Sequence, residues 1–172
     1  MSAVEETRAA APGQRKDTHG GIQPLMGGVH PALGLPHLPY GDAVHAVLVE
    51  AGLAPDVVDA GLRTEDPRRG RELFLTLSWL PGHPDVDARL WPRGMQLAWS
   101  HLIGWSAHHD TVRLLLVHDL ADPAVLADAV LHLATEGLDC GWEPADRTAQ
   151  WEHARALDLA LQAAAERGEI AW

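Results

Sequence analysis

A cluster of histidines beside a carboxylate has the residue types of a metal site. His108, His109 and Asp110 are consecutive, and His101 and His118 lie near them in the chain. Imidazole nitrogens and carboxylate oxygens are common ligands of zinc and iron. Adjacent residues of a strand point to opposite faces, so His108 and His109 cannot readily share one ion. We therefore predict no metal and interpret the cluster as a solvated strand end that leads into a turn.

Other catalytic templates are missing from the sequence. It has no Gly-x-Ser-x-Gly elbow, no Walker loop and no Rossmann glycine fingerprint. Cys140 is the only cysteine, and it follows the acidic Asp139, a setting that disfavours a thiolate nucleophile. The residues assign no catalytic group, and we predict no cofactor.

Tryptophan dominates the aromatic residues, with seven Trp against one Phe and one Tyr. An indole ring covers a large area and has an N–H that needs a partner, so exposed examples mark interfaces and ligand platforms. Three fall where a sheet core is expected: Trp79, Trp99 and Trp105. Three others are harder to place in such a core and are predicted to form a contact surface: Trp91, Trp142 and Trp172.

Short segments of alternating apolar and polar residues predict an antiparallel sheet. In the clearest segment, Met95, Leu97 and Trp99 fall on one face, the period of two that a half-buried strand requires. The predicted strands span residues 57–63, 72–79, 95–100, 104–109 and 113–117, and the first is the weakest. We expect an α+β fold, a meander of about four antiparallel strands with helices packed on one face.

Two helices flank the predicted sheet. The first begins near Leu38 and ends at Gly52, which suits the left-handed conformation that terminates a helix. The second has Asp122 as its N-cap and Pro123 at its first position, and it ends at Gly137. Both helices have an apolar stripe that can cover the sheet.

A third helix is predicted over residues 144 to about 167. Trp151, Leu157 and Leu161 fall on one narrow apolar stripe of this segment. The segment is rich in alanine, so its burial depends on what covers it. We expect residues 142–172 to form an amphipathic helix packed on the domain or on a partner.

Length and charge limit the classes of function. The chain has 172 residues, enough to bury a core without a metal or disulfide, and a formal net charge of −11. This acidic balance disfavours nonspecific attraction to nucleic acid or anionic lipid, so we expect neither as a partner. Residues 1–35 lack periodicity and are expected to form a disordered arm. A start without a signal-peptide core and a single cysteine predict a cytoplasmic protein.

Several short motifs resemble a known family. They are YGDAVHAVLVEAGLAP from Tyr40, the Pro92-x-Gly94 that leads to Trp99, Gly104-Trp105, and the helix from Pro123. Together they resemble an uncharacterised family of small actinobacterial proteins, a domain of unknown function, over residues 38–138. The family has an acidic residue or two after the first tryptophan, where this chain has Ser100-His101. The resemblance implies the α+β architecture and an actinobacterial origin, and it implies no reaction.

These observations favour a noncatalytic cytoplasmic protein-interaction or regulatory module. Residues 36–141 form its α+β domain, and the tryptophan-bearing sheet with the C-terminal helix forms the surface for a protein partner or a second copy. The alternative is a small-molecule-binding protein or enzyme whose pocket, between sheet and helices, is lined by His101, His108 and Trp105. The candidate binding residues are Trp91, Trp105, His101, His108, Trp142 and Trp151. An uncovered sheet face would favour the first reading, and a closed, polar-lined cavity the second.

Overall fold

The computed structural model describes residues 34–64 and 70–172 of the protein. They form α1 (Leu38–Glu50), β1 (Val57–Arg63), β2 (Glu72–Trp79), β3 (Met95–Ser100), β4 (Gly104–His108), β5 (Val112–Leu114), α2 (Pro123–Glu136) and α3 (Ala154–Glu166). The strands lie in the order β1-β2-β3-β4-β5, and neighbouring strands are antiparallel. The predicted α+β meander is confirmed, with a fifth strand beyond the expected number.

Two regions of the prediction fall outside this description. The proposed arm, residues 1–35, overlaps it only at its last two residues. Residues 66–70, whose sequence DPRRG predicts the turn between the first two strands, also lie mostly outside it. Within residues 34–64 and 70–172, the helices are too short or too polar to span a bilayer.

One face of the sheet, here called the inner face, is buried along β2, β3 and β4. Leu75 of β2 lies opposite Trp99 of β3, which lies opposite Trp105 of β4, and each is at most 2% exposed. All three helices contribute side chains to the same hydrophobic core. The expected burial of Trp79, Trp99 and Trp105 is confirmed. The opposite side of the sheet is called the outer face.

Helix α1 packs through residues spaced four apart. Tyr40, Val44 and Leu48 are completely buried, as the helical period places them on one side. The helix ends as predicted at Gly52, which has a φ of 78°. The Leu53 N–H then donates to the Leu48 carbonyl at 2.9 Å and closes the helix terminus.

Helix α2 is capped as the sequence predicts. The Asp122 carboxylate accepts from the Ala124 N–H at 2.8 Å, and Pro123 occupies the first helical position, where no backbone donor is needed. Gly137 ends the helix with a φ of 80°. These signals are local, which explains why they could be interpreted from the sequence.

The C-terminal helix is shorter than predicted. It begins at Ala154, so Trp151 precedes the helix and does not lie on its stripe. The Asp146 carboxylate accepts from Thr148 and holds a turn, after which the Trp151 N–H donates to the Leu120 carbonyl at 2.9 Å. These contacts keep residues 144–153 in turns and irregular structure outside the helix, which alanine content alone does not reveal. Within α3 the buried residues are Ala154, Leu157, Leu161 and Ala164.

Three buried indoles connect the core to loops and helices. Trp79 Nε1 donates to the Leu53 carbonyl at 3.1 Å, which fixes the end of β2 to the loop after α1. Trp91 Nε1 donates to the carbonyl of Leu133 in α2 at 2.8 Å. Trp99 Nε1 donates at 2.7 Å to the carbonyl of residue 119, in the loop before α2. Each bond satisfies a donor that would otherwise be buried without a partner.

The fourth buried indole, that of Trp105, is hydrogen-bonded to the hydroxyl of Tyr40. Trp105 Nε1 donates to the Tyr40 oxygen at 3.0 Å, and that hydroxyl donates to the Ala121 carbonyl at 2.8 Å. The Tyr40 ring also lies 6.0 Å from Trp99 and 5.2 Å from Trp151, measured between ring centroids. Burial raises the pKa of Tyr40, so the hydroxyl keeps its proton.

We predict that Tyr40→Phe lowers the free energy of unfolding by about 1–3 kcal/mol, because it leaves the Trp105 N–H and the Ala121 carbonyl buried without partners. Urea denaturation measures this. Thr148→Val is the matched control, since it removes a hydroxyl that bonds Asp146 at an exposed site, and it should change the free energy by less than about 0.5 kcal/mol. Equal effects of the two substitutions would contradict the role given to Tyr40.

Candidate functional site

The structure buries three of the four candidate binding tryptophans: Trp91, Trp105 and Trp151. The expectation that Trp91 is exposed is wrong, because its side chain is 1% exposed and its N–H bonds the Leu133 carbonyl. Trp105 is also 1% exposed, and Trp151 is 9% exposed where it packs on Tyr40. Their rings fill the core and present no platform to a partner.

Two tryptophans do reach the surface. Trp142 is half-buried, and its Nε1 donates to the Asp128 carboxylate at 2.7 Å. Trp172 is 75% exposed, and Leu159 on α3 is 58% exposed. This part of the molecule therefore retains the accessible apolar side chains that the sequence predicts for a contact surface.

His101 has both ring nitrogens engaged by the backbone. Nδ1 accepts from the Leu73 N–H at 3.1 Å, and Nε2 donates to the Ala171 carbonyl at 2.9 Å. The ring thus fastens the C-terminal residues to the beginning of β2. Such an arrangement holds the chain in place and leaves no nitrogen for a ligand.

The predicted pocket lined by His101, His108 and Trp105 is wrong. His101 lies where β2 begins, next to Leu73, whereas His108 lies where β2 ends, in register with Gln96. Trp105 and His108 are three residues apart on one strand, so they point to opposite faces. The strand geometry alone prevents the three side chains from meeting.

His108 lies on the outer face beside a serine. Its Nε2 is 2.8 Å from Ser106 Oγ, within hydrogen-bond distance. Burial lowers the pKa of His108, and the charge of Arg63 lowers it further. A cleft of about 300 Å³ lies alongside, lined in part by Ser78, Gln96 and His108. The cleft brings the polar side chains of Ser78, Gln96 and His108 within reach of a small polar ligand.

His109 points the other way and packs its ring on Trp91, with centroids 5.2 Å apart. The two adjacent histidines therefore face different surroundings, as the strand period predicts. Among residues 34–64 and 70–172, no three histidine, cysteine or acidic side chains are arranged to hold a metal ion.

The exposed end of the sheet is an apolar strand edge. Val112, Leu114 and Leu116 are 62%, 54% and 59% exposed, respectively. In the described part of the chain, β5 pairs with β4 on one side and has no strand on the other. We call these three residues the β5 edge, of which Leu116 lies in the bend just after the strand. Unpaired edges without charges or prolines are templates for another strand.

The backbone direction along β5 follows from its ladder with β4. The Leu115 N–H donates to the Trp105 carbonyl at 2.9 Å, and Arg113 lies opposite Ala107. Antiparallel ladders alternate hydrogen-bonded and non-bonded pairs, so residues 113 and 115 face β4. The N–H and C=O groups of Val112 and Leu114 consequently point outward, away from the sheet.

Arg113 holds β5 in position from the inner side. Its guanidinium donates to the carbonyls of Leu138 and Cys140, the latter at 2.8 Å. A charge-assisted bond of this kind joins the strand to the loop after α2. The single charged side chain of residues 111–117 is thus turned away from the β5 edge.

Sequence reasoning missed the β5 edge. It placed the last strand at 113–117, whereas β5 is Val112–Leu114. The text of residues 114–117 is LLLV, which is apolar at every position and has no period from which to assign faces. One signal could have indicated the exposed edge: residues 111–117 have no charged side chain besides Arg113, although edge strands usually have several.

Compared with known protein families, curated proteins and solved structures, the chain matches none of them. The resemblance to the actinobacterial family therefore stays a prediction. Functional inference has to proceed from the geometry of the described residues.

A buried histidine at the start of α1 couples the fold to pH. His37 is 1% exposed, stacks on Trp99 with centroids 5.6 Å apart, and donates from Nε2 to the Phe74 carbonyl at 2.9 Å. Burial lowers the pKa of His37, the Phe74 bond partly opposes this, and His101 lowers it further. The folded protein therefore resists protonation at this site.

We predict that stability falls as the pH decreases below about 6.5, the ordinary histidine value, because the unfolded chain binds the proton first. His37 contributes fully to the free energy of unfolding above that pH. Its contribution declines as the pH falls from there to the lower pKa that His37 has in the folded protein. Urea midpoints from pH 7.5 to 5 measure it. His37→Gln should reduce the dependence of the urea midpoint on pH, and His108 should account for the dependence that remains. The control is His153→Gln, at a side chain that is 63% exposed, and it should leave the pH dependence unchanged. A slope unaffected by His37→Gln would contradict the assignment.

Proposed function

We propose that this protein is a noncatalytic cytoplasmic protein-interaction module that binds a partner through the β5 edge. The observation that carries the proposal is the coincidence of exposed apolar side chains with an outward-facing backbone at Val112 and Leu114. An added strand can form main-chain hydrogen bonds and bury the apolar row at the same time. The tryptophan-bearing face is ruled out as the contact surface because the helices cover it.

The uncovered face also favours a partner over an enclosed ligand. The helices pack on the inner face, and residues of the outer face such as Thr76, Gln96 and Ala98 are half-buried by their neighbours. Exposed apolar side chains of this face include Val112 and Leu114 of β5, which lie opposite His108 and Ser106. A partner strand paired with β5 would therefore extend the outer face of the sheet.

The proposal predicts a position-specific contact. A photo-crosslinking amino acid in place of Leu114 should give a protein adduct in cells that naturally express the chain, and Leu116→Glu should reduce that adduct by placing a charge in the contact. The same crosslinker in place of Leu159, which is similarly exposed on α3, is the matched control and should give less adduct. Adducts at 159 and none at 114 would move the contact surface to α3.

A second candidate is a small-molecule or enzyme function in the cleft beside His108. The 2.8 Å contact between Ser106 Oγ and a neutral His108 is the observation that favours it. Hydrolysis of p-nitrophenyl acetate separates the two functions. An interaction module should show equal background rates for the parent chain, Ser106→Ala and the cleft control Ser78→Ala. A rate lost specifically with Ser106→Ala would favour the enzyme.

A further inference from the structure

We propose that a cavity between α3 and the loop before α2 binds a small organic amine in its protonated form. We call it the α3 cavity, and its lining includes Asp119, Leu120, Asp158, Leu161 and Trp172. Its volume is about 270 Å³, just below the range of about 300–1,000 Å³ that holds drug-sized ligands, so its ligand is small. The cavity shares no residue with the β5 edge, and the inference is independent of the proposed function.

The floor of the α3 cavity is apolar. Trp99, Leu120 and Leu161 line it, and each of these side chains is at most 5% exposed. The imidazole of His101 also lines it, but backbone groups engage both ring nitrogens, so the ring offers a ligand no polar atom. A ligand therefore needs an apolar body that covers this floor.

Two carboxylates give the cavity its charge. Asp119 and Asp158 both line it, and both are exposed. Within residues 34–64 and 70–172, neither carboxylate has an ion-pair partner, because the arginine pairs are Arg63–Glu72, Arg93–Asp110, Arg147–Glu143 and Arg167–Glu169. Two unpaired negative charges at one cavity favour a ligand with a positive charge.

The sheet holds Asp119 in position. Its carbonyl accepts from Trp99 Nε1 at 2.7 Å, which fixes the backbone. A Cβ atom placed on Gly104 would lie only 2.6 Å from Asp119 Oδ1, so this carboxylate packs against the beginning of β4, where a glycine leaves it room. Because the carboxylate is positioned before a ligand arrives, binding does not have to pay for ordering it.

Asp158 reaches the cavity from α3. It lies three residues before Leu161, and positions three apart on a helix are neighbours on its surface. The helix therefore places a carboxylate beside the apolar floor. An ammonium group that donates to Asp158 can leave its apolar body on Leu161.

Trp172 forms the exposed wall of the cavity. The residue before it is held on both sides: the Ala171 N–H donates to the Arg71 carbonyl at 2.7 Å, and the Ala171 carbonyl accepts from His101 Nε2 at 2.9 Å. The indole is nevertheless 75% exposed. An indole face attracts an ammonium group and also packs on an apolar surface, so Trp172 suits both parts of an organic amine.

Other classes of ligand fit this lining less well. No arginine or lysine lines the cavity, and its two carboxylates would repel an anion. A metal ion also fits poorly, because the described part of the chain has no three histidine, cysteine or acidic side chains arranged to hold one. A neutral ligand would cover the apolar floor and leave both charges unpaired.

A matched series of ligands tests the charge requirement. Phenethylamine, phenethyl alcohol and hydrocinnamate share an apolar body and differ at the polar end, which is cationic, neutral or anionic. Binding to the full chain is followed by NMR through the indole N–H signal of Trp172, assigned with Trp172→Phe. We expect a dissociation constant at or below about 1 mM for the amine, a value at least about tenfold higher for the alcohol, and no binding of the anion.

Salt and charge variants test the two carboxylates. Asp119→Asn and Asp158→Asn should each raise the dissociation constant of phenethylamine about three- to fivefold, and the double variant at least about tenfold. Asp139→Asn is the matched control, because it removes the same charge from an exposed residue outside the cavity, and it should leave the constant unchanged. Raising NaCl from about 50 to about 500 mM should weaken binding of the amine.

Three outcomes would overturn the proposal. One is equal affinity for phenethylamine and phenethyl alcohol, and another is a Trp172 signal that does not move at up to about 10 mM amine. The third is an equal loss of affinity with Asp139→Asn, which would indicate attraction to the acidic surface in general. Asp158→Asn changes an exposed helical residue, so it keeps the test decisive if Asp119→Asn alters the circular dichroism spectrum.

Discussion

The hydrogen-bonding requirement of buried indoles organises this fold. Four tryptophans lie almost completely inside the core, and each N–H needs a partner there because an unsatisfied buried donor costs about 1–3 kcal/mol. The Tyr40 hydroxyl satisfies the most central one, Trp105, and passes the bond on to the Ala121 carbonyl. One helix, one strand and the segment before α2 are joined at a single oxygen. The rest of the packing is built around that junction.

With the inner face covered by helices, the apolar side chains of the β5 edge stay exposed. The indoles bond groups on α1, α2 and their adjoining loops, so the helices cannot also shield the other side of the sheet. Arg113 strengthens the asymmetry, since its guanidinium fixes β5 from the inner side and removes charge from the edge. The same interactions that stabilise the domain therefore create its most accessible apolar row.

Local signals made much of the fold predictable. The caps of α2 at Asp122 and Gly137 and the strands 57–63 and 72–79 depend on neighbouring residues or on a period of two, and the structure has them where the sequence predicts. The third helix was predicted ten residues too early, because long-range contacts such as the bond from the Trp151 N–H to the Leu120 carbonyl keep the residues before Ala154 out of the helix. Alanine content favours a helix but cannot compete with such a contact.

The sequence by itself determined the α+β class, the antiparallel order of strands and the burial of Trp79, Trp99 and Trp105, because alternation and capping are properties of adjacent residues. The tertiary structure decided the burial, the hydrogen-bond partners and the sheet face of the candidate site residues. It buried Trp91 against Leu133, engaged both nitrogens of His101, and set His108 on the face opposite Trp105. It also exposed the β5 edge. These outcomes depend on which elements pack together across long separations in the chain, and an apolar run such as LLLV has no period that specifies them.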